Sequence, residues 1–254
     1  IDMIKLIGLS KVYKGFHAVN DSNIDVMAGV IFGFLGPNGA GKTTTLKMMA
    51  GIIKPTSGQI IINGINLAEN PSAAKQCVGF IPDCPFLYEK LSGLEFLLLI
   101  AGLYRLDHTP LLDRQVSELL ELFDLDAWKD ELIESYSHGM KQRLVMCASL
   151  LHRPKVLIVD EPMVGLDPKA ARLVKAIFKK QASNGTTIFM STHSLGVAQE
   201  ICNEIAIIQK GQIVAKGTSK TLSRTVGVDD NLEHTFLKLT EDKRFMHEKS
   251  LPAH

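Results

Sequence analysis

Eight consecutive residues, Gly36, Pro37, Asn38, Gly39, Ala40, Gly41, Lys42 and Thr43, constrain this chain more than any other stretch. They fit the pattern G-x-x-x-x-G-K-[ST], in which a glycine-rich turn runs from a strand into a helix and closes around phosphate. Both flanks comply. Residues 30–35 are an apolar run that reads as a buried strand; residues 44–50, beginning with Thr44, have helix-compatible spacing and stop at Gly51. Glycine lets backbone N–H groups turn toward phosphate oxygens where a Cβ would clash. The helix N-terminus adds partial positive charge at the same point. In such a loop Lys42 reaches the β- and γ-phosphates and the Thr43 hydroxyl ligates Mg²⁺. The motif specifies a nucleoside triphosphate and leaves kinase, GTPase, helicase and transporter open.

A second element narrows the chemistry. Val156, Leu157, Ile158 and Val159 run into Asp160 and Glu161. A buried parallel strand that delivers acids at its carboxyl end fits the place where α/β sites form. Asp160 is suited to hold Mg²⁺ through water while Thr43 ligates it directly. Glu161, pointing elsewhere, is suited to polarise an attacking water as general base.

Composition excludes other classes. The chain has 254 residues, room for one large domain or a core with a subdomain. Its net charge is +1 with acids and bases interspersed, so bulk charge gives no reason to expect a nucleic-acid partner. Cys77, Cys84, Cys147 and Cys202 contain no C-x-x-C pair, which fits buried free thiols in a reducing compartment. The start shows no signal-peptide pattern. The longest strong apolar run, 96–104, is shorter than the roughly 20 residues of a bilayer span. The expectation is a chain soluble alone, whose membrane role, if any, comes through a partner.

Along the chain, residues 2–9 read as a strand, Tyr13 follows in a Lys-Gly turn, and 22–27 form a second strand. Residues 59–62 lead into Asn63-Gly64, a strong hairpin signal. A short helix over 71–76 and a strand over 78–81 precede the break at Pro82-Asp83-Cys84-Pro85. Residues 84–152 read as a helical insert, almost wholly helical, with helices over 93–104, 110–123 and 139–151; the polar Ser135-Tyr136-Ser137-His138 suits the last helix start. Pro168 opens a helix reaching about residue 183. A strand over 186–191 ends in Thr192-His193. A helix over 195–200 and strands over 204–209 and 212–216 follow. Residues 218–240 read as two short helices, with Leu232, Phe236, Leu237 and Leu239 packing back on the core, and 242–254 as frayed.

Residues 2–217 resemble the nucleotide-binding subunit of an ATP-binding-cassette (ABC) transporter. The marks fall in family order: Tyr13, the phosphate loop, Tyr136-Ser137-His138-Gly139-Met140 as the signature, the strand into Asp160-Glu161, Gly165-Leu166-Asp167, and Ser191-Thr192-His193. The resemblance implies an α/β phosphate-loop NTPase: a RecA-like core with an N-terminal antiparallel β-subdomain (1–83 and 153–217), an inserted α-helical subdomain (84–152), and a short C-terminal extension (218–254). It implies that Tyr13 stacks on adenine, that Glu161 is the catalytic carboxylate, and that His193 senses the γ-phosphate. It also implies a head-to-tail dimer, with itself or a homologous subunit. There Ser137 and Gly139 of one copy close on the ATP of the other, and Asp167 bridges the two sites. A separate integral membrane subunit would hold the dimer at the inner face of the cell membrane, on the cytoplasmic side.

The sequence departs from the family pattern twice. The signature reads Tyr-Ser-His-Gly-Met, a form resembling the subgroup that serves polyketide-drug and polysaccharide exporters, with His138 read as a surface residue. Asp83 stands where the family has Gln, and a carboxylate there joins the Mg²⁺ shell. Residues Pro85, Phe86, Leu87 and Tyr88 either pack under the helices or form a groove for the membrane subunit. The expectation is export, with a non-transport ABC ATPase of the iron–sulfur assembly type as the alternative.

Overall fold

A computed structural model describes residues 2–225 and 232–241. The first half contains β1 (Asp2–Tyr13), β2 (Phe16–Met27), β3 (Ile31–Leu35), α1 (Lys42–Met49), β4 (Ser57–Ile62), β5 (Ile65–Asn66), α2 (Pro71–Gln76) and β6 (Val78–Ile81). Three helices follow: α3 (Gly93–Leu103), α4 (Pro110–Leu122) and α5 (His138–Leu151). The chain then returns through β7 (Val156–Asp160), α6 (Pro168–Ser183), β8 (Thr187–Thr192), α7 (Leu195–Ile201), β9 (Glu204–Gln209), β10 (Gln212–Gly217), α8 (Ser219–Thr225) and α9 (Leu232–Glu241).

The strands form two sheets. One is antiparallel, in the order β2-β1-β4-β5; the other runs β10-β9-β3-β8-β7-β6 and is parallel except for β10. Every residue of β3, β7 and β8 is buried, the pattern expected of central parallel strands covered on both faces. Successive side chains on β8 face opposite sides. Phe189 stacks on Phe32 at 5.1 Å toward the antiparallel sheet and α1, whereas Ile188 and Met190 face the layer of α5 and α6. Gly79 on β6 lets α5 lie directly on the sheet, because a Cβ there would meet the Ser149 carbonyl oxygen at 2.5 Å. Ser149 also donates its hydroxyl to Phe80 O at 3.0 Å.

The first strand is longer than its alternation predicts. It runs to Tyr13, because bulges near Gly8 and Lys11 break the side-chain period while pairing with β2 and β4 continues. Tyr13 therefore ends a strand, and the two-residue turn is Lys14-Gly15, both at positive φ. The stretch between α4 and α5 is also less helical than expected. It contains two single 3-10 turns, Asp126–Trp128 and Ile133–Ser135, separated by a turn at 129–130 and a bend that leads into the extended Leu132.

All four cysteines are free; Cys147 is buried, whereas Cys84 is exposed, contrary to expectation. Burial pushes the Cys202 thiol up to about 12. Leu232 and Phe236 pack with Leu222 and Leu35, whereas Leu237 is exposed. The Leu239 side chain and residues 242–254 lie outside the described residues. Among the described residues no helix is long and apolar enough to cross a membrane.

Candidate active site

The phosphate loop joins the buried strand β3 to α1. Gly41 takes φ +108°, and a Cβ there would meet Ala18 O at 2.3 Å, so only glycine lets the loop pass under β2. Ala40 N donates to Pro37 O, and the β9–β10 turn braces the loop from behind, with Gly211 N donating to Ala40 O at 2.9 Å. Gly36 and Pro37 contribute carbonyls that Lys42 Nζ reaches at 2.7 and 3.1 Å. Lys42 is buried, and this desolvation holds its ammonium below the usual lysine range despite the pull of Glu161 and Asp160. No side chain caps the first turn of α1 and no acid lies in it, so its amides and positive end face outward unopposed.

The acids sit at the ends of the neighbouring strands. Asp160 is buried, and burial pushes its carboxyl above the usual range while hydrogen bonds from Ser191 and Thr43 favour the ionised form. Glu161 leaves β7 at φ +48°, a left-handed conformation that glutamate rarely adopts. Its Oε1 lies 3.9 Å from Lys42 Nζ and 3.0 Å from His193 Nδ1, and its Oε2 accepts from the His193 amide at 3.4 Å. Asp83, exposed after β6, accepts from Cys84 N at 2.9 Å.

Part of this set surrounds one cavity of about 370 Å³, whose lining does not include Asp160 or His193. Asn38, Gly39, Gly41, Lys42, Thr43 and Thr44 form its floor, Asp83 and Glu161 one wall, and Tyr13 and Phe16 the far end. Tyr13 and Phe16 are direct cross-strand partners at the tip of the β1–β2 hairpin, 46% and 64% exposed, with Lys11 Nζ 5.0 Å from the Tyr13 ring centre. Two exposed aromatics beside a phosphate loop suit a planar base. Sequence reasoning identified Tyr13 and missed Phe16; its place just across the Lys14-Gly15 turn was the available signal.

Three sequence-identified residues lie elsewhere. Ser137 caps α5, its hydroxyl accepting from Met140 N at 3.3 Å. Gly139, on the first turn, faces Gly165 O and Leu166, and the exposed His138 ring lies against Gly165. Asp167 caps α6 by accepting from Ala170 N at 2.8 Å. The signature turn and the 165–167 loop are thus in contact with each other, and none of their residues lines the cavity.

Among the described residues no group of three or more His, Cys, Asp and Glu is placed to hold a metal. What the site offers is oxygen: Thr43 and Asp83 line the cavity, and the buried Asp160 carboxylate lies behind Thr43, in contact with its hydroxyl. A sparse set of hard oxygen donors fits Mg²⁺, which keeps waters and takes phosphate oxygens as its remaining ligands.

A phosphate loop on a buried parallel strand, two carboxylates at the adjoining strand end and an aromatic hairpin define a nucleotide-hydrolysing domain. Residues 19–164 match the ABC transporter family, and the chain belongs to that family as an ATP-binding ATPase component. It is 34% identical over 224 residues to the daunorubicin/doxorubicin resistance ATP-binding protein DrrA of Streptomyces peucetius, covering 88% of this chain and 68% of that one. It is 39% identical to the bacitracin transport ATP-binding protein BcrA of Bacillus licheniformis, over 84% of this chain and 68% of that one. Among solved structures, an ATP-binding subunit of an ABC transporter superposes with a TM-score of 0.88 at 33% identity, covering 93% of this chain and 99% of that one. The ABC cassette MJ0796, a dimer bound to ADP and Pi, shares the fold with a TM-score of 0.78 at 24% identity, over 85% of this chain and 98% of that one.

Proposed function

We propose that this chain drives an exporter by hydrolysing ATP between two head-to-tail copies of an ATPase subunit docked on a membrane protein. The observation that carries the reading is the placement of Glu161. Its carboxylate stands between Lys42 and His193 at the phosphate end of the cavity, where a water in line with the γ-phosphorus is deprotonated. The water oxygen bonds to phosphorus, the bond to the β–γ bridging oxygen breaks, and ADP and phosphate leave. Lys42 and the amides of residues 38–44 neutralise the phosphate charge. Tyr13 and Phe16 receive adenine. His193, hydrogen-bonded to Glu161, orients the base and registers loss of the γ-phosphate. Thr43 and Asp160, with Asp83 beside them, would hold Mg²⁺, which would supply Lewis-acid stabilisation of the phosphate charge.

Ser137 and Gly139 complete the site from the second copy. They lie at a helix N-terminus free of acids, the same device as the phosphate loop. Asp167, beside the signature turn, links the two sites across the interface. ATP thereby joins the copies and hydrolysis releases them. Export is supported by the names of the relatives, two of which are drug- or antibiotic-resistance proteins and one a bacitracin transport protein. A membrane subunit is supported by Phe86, 87% exposed, and the exposed Tyr88, on the chain that follows Asp83, where packing under the helices engages only Leu87. Such an assembly is peripheral on the cytoplasmic face of the membrane.

The test is Glu161→Gln. The variant forms an ATP-stabilised dimer by analytical ultracentrifugation, with turnover reduced about 10²–10⁴-fold. Turnover equal to the parent would remove Glu161 as the base.

A further inference from the structure

Asp160 and Glu161 are adjacent, yet Asp160 meets Ser191 and Thr43 while Glu161 meets Lys42 and His193. Strand alternation turns two consecutive side chains apart, but it does not fix the orientation of either carboxylate. The group that fixes both lies on the next strand. Ser191 is the register partner of Asp160 and is 0% exposed. Its hydroxyl donates to Asp160 Oδ1 and accepts from the Glu161 amide at 3.2 Å, while its own carbonyl accepts the same amide at 3.3 Å.

A hydroxyl has one hydrogen and two lone pairs. Giving the hydrogen to Asp160 turns the lone pairs toward Glu161 N–H. The bond to Oδ1 leaves the second carboxylate oxygen free of Ser191, and the Thr43 hydroxyl also bonds this carboxylate. The bond from the amide helps hold the left-handed turn at Glu161, a conformation that a non-glycine residue keeps only when its surroundings fix it. His193, two residues beyond on the same chain segment, then meets the Glu161 carboxylate.

We propose that Ser191 is a positioning residue of the ATPase site, its hydroxyl setting the metal-facing oxygen of Asp160 and the direction of Glu161 in a single contact. The inference rests on the assignment of Asp160 to Mg²⁺ and Glu161 to water. It joins the strand carrying the acids to the strand carrying His193 at the level of one hydrogen atom.

The test uses the full chain with Ser191→Ala and Ser191→Thr. Mg²⁺ is titrated into ATP-bound protein and followed by thermal melting, with turnover measured in parallel. In Ser191→Ala the half-saturating Mg²⁺ rises about tenfold and turnover falls about tenfold or more, the size expected when a partner of a ligand is lost. The melting shift given by ATP in EDTA stays unchanged, which separates positioning from a general loss of folding. Ser191→Thr, which keeps the hydroxyl, remains within about threefold of the parent in both readouts. Ser191→Ala with Mg²⁺ titration and turnover within about twofold of the parent overturns the inference, as does a Ser191→Thr protein as impaired as Ser191→Ala. Should Ser191→Ala give no melting shift with ATP in EDTA, Ser191→Cys, of similar volume but a weak donor, is judged by the same criteria. A parent chain without Mg²⁺-dependent melting or turnover overturns the assignment of Asp160 itself.

Discussion

Two helices of this chain begin at phosphate-ready turns, and they begin differently. α1 starts behind Gly41, which has no side chain to offer the first amides. α5 starts behind Ser137, whose hydroxyl already accepts from Met140 N. Neither has an acid in its first turn, whereas α3 and α4 carry Glu95 and Asp113 there. An acid at that position stabilises a helix internally; leaving it out keeps the positive end for an outside anion. α1 is thus a receptor complete within one chain. α5 is capped and stable by itself, and Ser137 keeps its hydrogen free to donate to phosphate while its lone pair holds the cap. In the proposed mechanism the difference separates binding ATP, which one copy does, from closing over it, which takes two.

The largest expected effect comes from breaking the α1 side. Lys42→Ala lowers turnover about 10²–10³-fold by removing a preorganised cation, and abolishes the melting shift with ATP. An acid on the α5 side sharpens the contrast. Gly139→Asp retains the ATP melting shift of the separate chain but, in a Glu161→Gln background, weakens the ATP-dependent dimer about tenfold or more by ultracentrifugation. Ser137 divides the two roles further. Ser137→Ala loses about 1 kcal/mol of folding stability with the cap, and Ser137→Asp recovers that stability in urea melts while turnover stays low, because the new charge repels phosphate.

The smallest effect lies at the opposite end of α5. His152 ends that helix, stacks on Tyr104 at 3.7 Å and bonds Val78 O at 3.0 Å through Nε2, leaving Nδ1 buried without a hydrogen-bond partner. Burial holds its imidazolium below the usual histidine range. A lowered folded value means that the stability is fully present above the unfolded value of about 6.5 and is lost as pH falls through it. Denaturation curves between about pH 7.5 and 5.5 should show that loss in the parent and a smaller one in His152→Phe.

The parts of the site written as contiguous residues were legible. Gly36 to Thr43, and Asp160 with Glu161, announce themselves because strand, turn and helix signals surround them. Parts assembled across strands were not. Ser191 meets Asp160 only because β7 and β8 pair in one register, which α6 between them does not specify in sequence. Phe16 escaped notice because bulges obscure the β1 period, so the hairpin tip could not be placed to the residue. The three helices of the insert were legible to within a residue or so, but not what joins the last two: the Asp124 backbone at φ +57° follows α4 and the chain runs through short turns to Ser137.

Gly79 lines no part of the nucleotide cavity, but its bare backbone is where α5 rests. Any larger residue there would lift the helix like a shim under a beam and tilt the far tip that carries Ser137. In the head-to-tail pairing proposed above, damage at this spot would leave the chain's own ATP held as before and spoil the neighbour's, a defect passed from one copy to the other without touching a nucleotide.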